Sequence, residues 1–311
     1  MRADHEGMRR WTPRSAAASS AVGPIAIAAI EQGLPEARRI ARDELAARFL
    51  PGPVRLLVRA CAWRPLREWF VAASERSAPG VWGGILCRKR YADDKVAAAL
   101  AAGAGQLVVL GAGLDTRACR LAVPAGAAAF EVDLPANVTA KRRVVERVYG
   151  RVPERLRLVP ADLRAGGPGP ALEAAGFRTG EPAVVLMEGV TPYLGEEGVR
   201  NVFAFLAGLA PGSRLLFTYL RRDFLDGTRS YGMGKRLRRR FVTRHGVWHF
   251  GLDPAEADAL LAGHGWRGCE QVGEAEYRER YLRPAGRTMR VMPIELFAEA
   301  EKPRPGHAPA R

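Results

Sequence analysis

The chain has 311 residues, 48% of them hydrophobic, with 48 Lys and Arg against 33 Asp and Glu and a formal net charge of +15. That length suits one large domain or two small ones with a substantial core, and no apolar run is long enough to cross a bilayer. The charge invites a polyanionic partner, but the only lysines are Lys89, Lys95, Lys141, Lys235 and Lys302, and arginine is spread through the chain with Ala, Gly and Pro. That pattern is a compositional bias rather than a basic face, with one concentrated exception, Lys235–Arg240 (KRLRRR). The four cysteines (Cys61, Cys87, Cys119, Cys269) lie far apart with no Cys-x-x-Cys pair, against a zinc site or disulfide frame and for a reducing cytoplasm. The start lacks the apolar core of a signal peptide.

Residues 1–20 read as disordered, being small and polar without period. Residues 21–102 read as a helical cap. Over Pro24–Arg48 apolar residues recur at three-to-four spacing, interrupted by Gly33 and Pro35. Val54–Ser74 carries Leu56, Leu57, Ala60, Trp63, Leu66, Trp69 and Phe70 on one side, expected to face the core, with Pro65 dividing it. Next come Gly83-Gly84, the basic Arg88-Lys89-Arg90, and a helix expected over Lys95–Ala102. Positive charge at a helix start opposes the helix dipole, so Arg88–Arg90 makes more sense facing an anion.

The stretch Gln106–Arg120, QLVVLGAGLDTRACR, organises the rest. Leu107–Leu110 is short, apolar and β-branched enough for a buried strand. Gly111-Ala112-Gly113 allows a tight turn and a close approach to bare backbone. About twenty residues after Gly113, Phe130–Pro135 is a second apolar run ending in acids. Strand, Gly-x-Gly turn and a second strand tipped by an acid form the nucleotide-cradling half of a doubly wound sheet, with Asp133 better placed than Glu131 for ribose hydroxyls. The dinucleotide pattern wants a third glycine where Thr116 stands. Asp115 beside it would repel a pyrophosphate. The turn therefore suits S-adenosylmethionine, which has a ribose and a sulfonium but no phosphate.

Ala136–Tyr149 reads as a helix with Val138, Val144, Val145 and Val148 inward and Lys141–Arg143 outward. Leu156–Pro160 is a third strand, and Asp162 after it could bond an adenine amino group, with the Leu163 amide nearby, or cap the next helix. Pro182–Val190 is a fourth strand running into Glu188, whose carboxylate at a central strand tip lies where such sheets bind ligands. A helix over Glu197–Leu209 and a strand over Ser213–Leu220 follow. Residues 221–250 break the rhythm and read as an insertion able to cover the site. Pro254–Gly263 is a helix capped by Asp253, Trp266–Val272 a strand, and Arg287–Phe297, with alternating Met289, Val291 and Ile294, the last strand. Residues 103–300 thus read as one domain and 301–311 as a loose tail.

The segments RKRYADD (88–94), LGAGLDTRACRL (110–121), FEVDLP (130–135), ADL (161–163), EGVTPYL (188–194) and YLRPAGR (281–287) together resemble the leucine carboxyl methyltransferase-like family of S-adenosylmethionine-dependent O-methyltransferases, which includes bacterial polyketide O-methyltransferases. The likeness runs in order over roughly residues 20 to 295. It implies an α/β fold of the Rossmann-like class I kind: a seven-stranded, mostly parallel sheet with an antiparallel last strand, an N-terminal helical cap and an insertion after strand five. It implies that Arg88 holds the cofactor's methionine carboxylate and that Gly111 and Gly113 pass beneath methionine and ribose. Asp133 would bind ribose, Asp162 and Leu163 adenine, and Glu188 the amino end. Arg164 and Tyr193 would face the methyl acceptor, expected to be a small organic acid. A carboxylate acceptor is already ionised and needs no general base; a phenol would need one, for which His245 and His249 are candidates. No metal, membrane or nucleic-acid partner is expected. The competing readings are an RNA methyltransferase docking through KRLRRR, an NAD-type dehydrogenase, disfavoured by the absent third glycine, and a non-catalytic cofactor-binding protein of the same fold.

Overall fold

A computed structural model describes residues 21–304 apart from 234 and 245, with the backbone alone at 235, 236 and 240. The expectations for residues 1–20, for the end of the tail and for His245 lie outside the described residues. One sheet organises the molecule, in the order β3-β2-β1-β4-β5-β8-β7. Its strands are β1 Gln106–Leu110, β2 Ala128–Asp133, β3 Leu156–Pro160, β4 Ala183–Met187, β5 Arg214–Arg221, β7 Arg267–Val272 and β8 Glu295–Glu301. The two-residue β6, Gly251–Leu252, pairs with the end of β5. Strands β1 to β5 pair in parallel, and β8 runs antiparallel to both β5 and β7.

Every residue of β1 and β4 is buried, as a parallel sheet covered on both faces requires. Side chains alternate between the faces. Leu107, Val109 and Leu186 join Trp82, Leu86 and Tyr91 on one side. Val108, Leu110, Val185 and Met187 join Val202, Phe203 and Leu206 on the other. Strand order reverses between β1 and β4, so their C-terminal ends open the crevice in which such sheets bind ligands.

Several elements depart from the sequence expectation. The helix before β1 is Val81–Ala101, so Arg88–Arg90 sit in its middle and the argument from a helix start does not apply. Gly83 and Gly84 are not a break. A side chain at Gly83 would collide with the Arg290 carbonyl, and one at Gly84 would crowd Met292, so the pair lets residues 290–292 lie against the helix. Those residues belong to a stretch expected to be strand; the strand instead begins at Glu295. Val291 and Ile294 are buried ahead of that strand, and burial rather than strand structure produced the alternation. The second cap stretch divides at 61–63 into helices Gly52–Ala60 and Arg64–Ser77. Leu56, Leu57, Trp63 and Trp69 are exposed rather than in the core. In the helix Pro135–Tyr149, Lys141 is buried, because Glu131 lies beneath it at 3.0 Å. The helix after β4 starts early, at Thr191, and bends at Gly195, whose φ is +69°.

Candidate functional site

A cavity of about 1050 Å³ stands over the C-terminal ends of β1 to β4. Each strand contributes residues at or just past its tip: Gly111–Asp115 after β1, Asp133 at the end of β2, Asp162, Leu163 and Arg164 after β3, and Glu188–Val190 after β4. Arg88 and Lys89 enter from the helix Val81–Ala101, and Tyr193 from the turn after β4. The fold therefore gathers Arg88, Gly111, Gly113, Asp133, Asp162, Leu163, Arg164, Glu188 and Tyr193 around one space. Glu131 is the exception: it lies on the same face of β2 as Asp133 but two residues deeper in the sheet, opposite Val109 and Leu158, where it is 1% exposed and pairs with Lys141. Burial pushes its carboxyl up to about 7, with Lys141 opposing. The expectation that Glu131 meets a ribose is corrected: it does not line the cavity, whereas Asp133 does.

The turn after β1 is tightly made. Gly111, at φ +66°, donates its N–H to the Val132 carbonyl at 2.8 Å, and a Cβ on it would press into the Val190 side chain. Gly113 donates its N–H to Asp133 Oδ2 at 2.6 Å. Leu134 N–H and Asn137 Nδ2 donate to Asp133 Oδ1, each at 2.7 Å. Three donors thus fix the carboxylate, and the Gly113 amide is already used.

Glu188 is held from two sides. Arg88 Nε donates to its Oε1 at 2.8 Å, and Arg117 Nη1 lies 2.7 Å from Oε2. Burial would raise its carboxyl, but Arg117, Arg88 and Lys89 outweigh burial and hold it well below the usual range. Thr218 orders the turn, accepting from Gly189 N–H and receiving the Thr191 hydroxyl at its carbonyl, both at 2.7 Å.

Arg117, 1% exposed, is the hub. Its Nε donates to Asp93 Oδ1 at 2.6 Å, its Nη2 to the Lys89 carbonyl at 3.1 Å, and its Nη1 to Asp115. Asp115 is thus no bare carboxylate. Burial opposes its ionisation, Arg117 more than compensates, and its charge is neutralised inside the turn. The expectation that this charge repels a pyrophosphate is corrected; the turn disfavours phosphate because the Gly113 amide already serves Asp133. Arg164 closes its fork on Asp162, Nε at 2.9 Å and Nη2 at 2.6 Å.

The outer wall is apolar. Trp69 and Phe70 come from the cap, Ile85 from the long helix, Met292 from the segment before β8, and Leu237, Phe241, Val247 and Trp248 from residues 221–250. Phe241 and Trp248 stack with ring centroids 4.4 Å apart and planes 12° from parallel. His249 donates its N–H to the Pro192 carbonyl at 2.7 Å, tying this lid to the turn after β4. Sequence reasoning missed Arg117, although it stands inside LDTR. It also missed Glu295, whose two oxygens face Arg88 Nη1 at 2.8 and 2.7 Å, because the last strand was placed too early. Among the described residues no group of three or more His, Cys, Asp or Glu could hold a metal.

A family model described as leucine carboxyl methyltransferase matches residues 21–207. A protein of Mycobacterium avium (strain 104), designated an S-adenosyl-L-methionine-dependent methyltransferase, is 35% identical over 202 residues, 63% of each chain. The match therefore spans a little under two thirds of that relative's length. One of the same designation from Mycolicibacterium paratuberculosis is 32% identical over 287 residues, 88% of this chain and 87% of its own. Among solved structures, a methyltransferase from Thermobifida fusca superposes with a TM-score of 0.57 at 19% identity, covering 77% of this chain and 89% of that one. That likeness speaks for the fold: a Rossmann-like, class I methyltransferase architecture.

Proposed function

The chain belongs to the leucine carboxyl methyltransferase family, whose relatives are S-adenosylmethionine-dependent methyltransferases, and from that premise we propose that it methylates a carboxylate oxygen of a small, largely apolar organic acid. The observation that carries this reading is the division of the cavity. Its floor presents Asp133, fixed by three donors, and the ionised Glu188 at neighbouring strand tips. Its outer wall is aromatic and aliphatic under a lid. The floor fits a ribose and a positively charged methionine end, and glycines 111 and 113 leave the backbone bare beneath them. When bound, S-adenosylmethionine supplies an electrophilic methyl group on a sulfonium.

The chain's own work is to bind, align and dry the site. Asp133 accepts from ribose hydroxyls, Asp162 and the Leu163 amide meet adenine, and Glu188 faces the amino end. A carboxylate acceptor needs no proton removed at neutral pH, so alignment of oxygen, methyl carbon and sulfur, with water excluded, is what the protein must provide. The lid and cap supply the exclusion. Tyr193 and the edge of Arg164 turned away from Asp162 would orient the acceptor's non-attacking oxygen, since pairing with arginine makes an oxygen a weaker nucleophile. The basic run does not favour the RNA reading. Leu237 within it is buried against the cavity, and Arg238 donates to the Leu225 and Asp226 carbonyls at 2.9 and 3.0 Å.

The test is calorimetry with S-adenosylhomocysteine, followed by methyl transfer to a panel of aryl and alkyl carboxylic acids and the matching phenols. Binding of the nucleoside and turnover of acids over phenols is expected. Arg164→Ala should slow methyl transfer at least tenfold while changing nucleoside affinity only a few-fold; turnover equal to the parent's would remove Arg164 from this role.

A further inference from the structure

Neither Gly52–Ala60 nor Arg64–Ser77 contains a buried residue, and from 51 to 77 the one buried residue is Cys61. Large apolar side chains there face water: Leu56 is 64% exposed, Trp63 67% and Trp69 62%, with Leu57 exposed beside them. Among the described residues Tyr149 is the only other exposed large hydrophobic. Single apolar residues on a surface need no account, but a concentration of them marks an interaction site. The stretch is also basic, with Arg55, Arg59, Arg64, Arg67 and Arg76 against Glu68 and Glu75. Both acids are occupied. Glu68 accepts from Arg64 Nε at 2.7 Å, and Glu75 accepts the N–H groups of Gly80 and Trp82 at 2.7 and 3.2 Å. Trp69 belongs to two surfaces at once, because it also lines the outer wall of the cavity with Phe70, Ala73 and Ser77 of its own helix. The exposed face therefore runs into the mouth of the cavity.

We propose that the helices Gly52–Ala60 and Arg64–Ser77 dock on an anionic lipid surface, and that the methyl acceptor is an amphiphilic acid dissolved in that surface, which enters the cavity past Trp69. The docking stands on the face itself; the acceptor's route rests on the carboxylate reading above. Among the described residues no helix is long and apolar enough to cross a membrane. The expectation of no membrane partner came from the lack of a spanning run, and a helix lying in the interface needs none. Protruding indoles and leucines enter the headgroup layer without a shaped counterpart, and guanidiniums beside them reach lipid phosphates while their stems lie along apolar surface. An apolar acid partitions into the same layer. A second copy of the chain fits this face less well, because a two-fold contact would set its arginines against their own mates.

The experiment is co-sedimentation of the full chain with vesicles of phosphatidylcholine alone and of phosphatidylcholine with phosphatidylglycerol in equal parts. The variants are Leu56→Ser/Trp63→Ser and Arg55→Gln/Arg59→Gln, none of them at a residue lining the cavity, and each should melt as the parent does. Expected is binding of the parent to the mixed vesicles, weakening as salt rises. Leu56→Ser/Trp63→Ser should bind them at least about tenfold more weakly. Arg55→Gln/Arg59→Gln should lose about fivefold for each charge removed, on the anionic vesicles only. Turnover of a long-chain alkyl carboxylic acid carried in the mixed vesicles should fall with Leu56→Ser/Trp63→Ser, while S-adenosylhomocysteine affinity and turnover of a short soluble acid stay at the parent's. A parent that ignores both vesicles, or binds them equally, overturns the docking. So does a dimer in sedimentation that Leu56→Ser/Trp63→Ser dissociates, which would put a second copy on the face. If the parent methylates soluble acids yet ignores vesicles, the docking falls and the carboxylate reading stands. If it binds the anionic vesicles yet methylates no acid, the docking stands and the acceptor's route falls with the carboxylate reading.

Discussion

Arg117 touches no ligand in the proposed chemistry, yet three buried acids depend on it. Removing its guanidinium would leave Asp93, Asp115 and Glu188 facing one another with less compensation. Breaking a buried pair by deleting one partner costs about 3–5 kcal/mol, and Arg120 offsets only the Asp93 end, at 2.7 Å. Arg117→Met should therefore lower the melting temperature sharply and weaken S-adenosylhomocysteine binding at least tenfold, both readable by scanning calorimetry and titration; near-parental stability would show that these acids are solvated rather than paired. Glu131 gives the opposite sign. Its folded pKa, about 7, lies above the ordinary carboxylate value because burial disfavours the ion. The folded state then binds the proton more tightly than the unfolded chain does, so this group's contribution is present below about pH 4.5 and is lost as pH rises through 7. Melting temperatures of the parent and Glu131→Gln, measured from pH 5 to 8, should diverge in the direction of a relative fall for the parent. A constant difference would mean that Lys141 keeps Glu131 ionised throughout.

The elements were legible where one physical pattern dominated. The runs LVVL and AVVL are apolar on both faces because the sheet is covered on both faces, and their β-branched content leaves little room for a helix. The acids at their tips follow from topology, so Asp133 and Glu188 could be placed before any coordinates. The failures also have causes. Gly83 and Gly84 look like a helix stop, but they are where another backbone touches the helix, and a sequence does not say which segment will arrive. Met289, Val291 and Ile294 alternate like a strand because they are buried, Met289 and Val291 in the cluster with that helix and Ile294 in the cluster with Leu220, Phe224 and Leu237. The sequence favoured Asp133 at the strand tip but kept Glu131 as a candidate; the register puts Glu131 opposite Val109 and Leu158, in the body of the sheet. The glycine contact is testable. Gly83→Val adds a branched side chain where a Cβ already meets the Arg290 carbonyl, forcing residues 290–292 off the helix. Displaced with them would be the approach to Glu295 and its pair with Arg88. A loss of several degrees in melting temperature is expected, with weakened nucleoside binding; a parental melting temperature would mean that the segment is free to move away at no cost.

At the scale of the whole molecule, the sheet supplies the floor of the cavity, where the cofactor is proposed to lie, while the cap and the 221–250 insertion supply most of the outer wall. That separation explains why the cofactor could be argued from sequence and the acceptor could not. The floor residues sit at strand ends or within a few positions past them, where spacing identifies them. The outer wall draws Trp69, Ile85, Met292, Leu237 and Trp248 from segments far apart in the chain, and no period connects them. The two halves should consequently fail independently. Trp248 stacks on Phe241 and is only half-buried, so its removal opens the lid face without hollowing the sheet core. For Trp248→Ala, S-adenosylhomocysteine affinity should stay within a few-fold of the parent. The KM for a carboxylic acid acceptor should rise by roughly 10- to 100-fold, the equivalent of about 1.5–3 kcal/mol of lost apolar burial. Water entering in place of the stacked pair wets the site, so kcat should fall as well, though by less. If the substitution instead weakened the nucleoside and left KM for the acid unchanged, the lid would belong to the cofactor side, and the outer space would no longer mark where the acceptor binds.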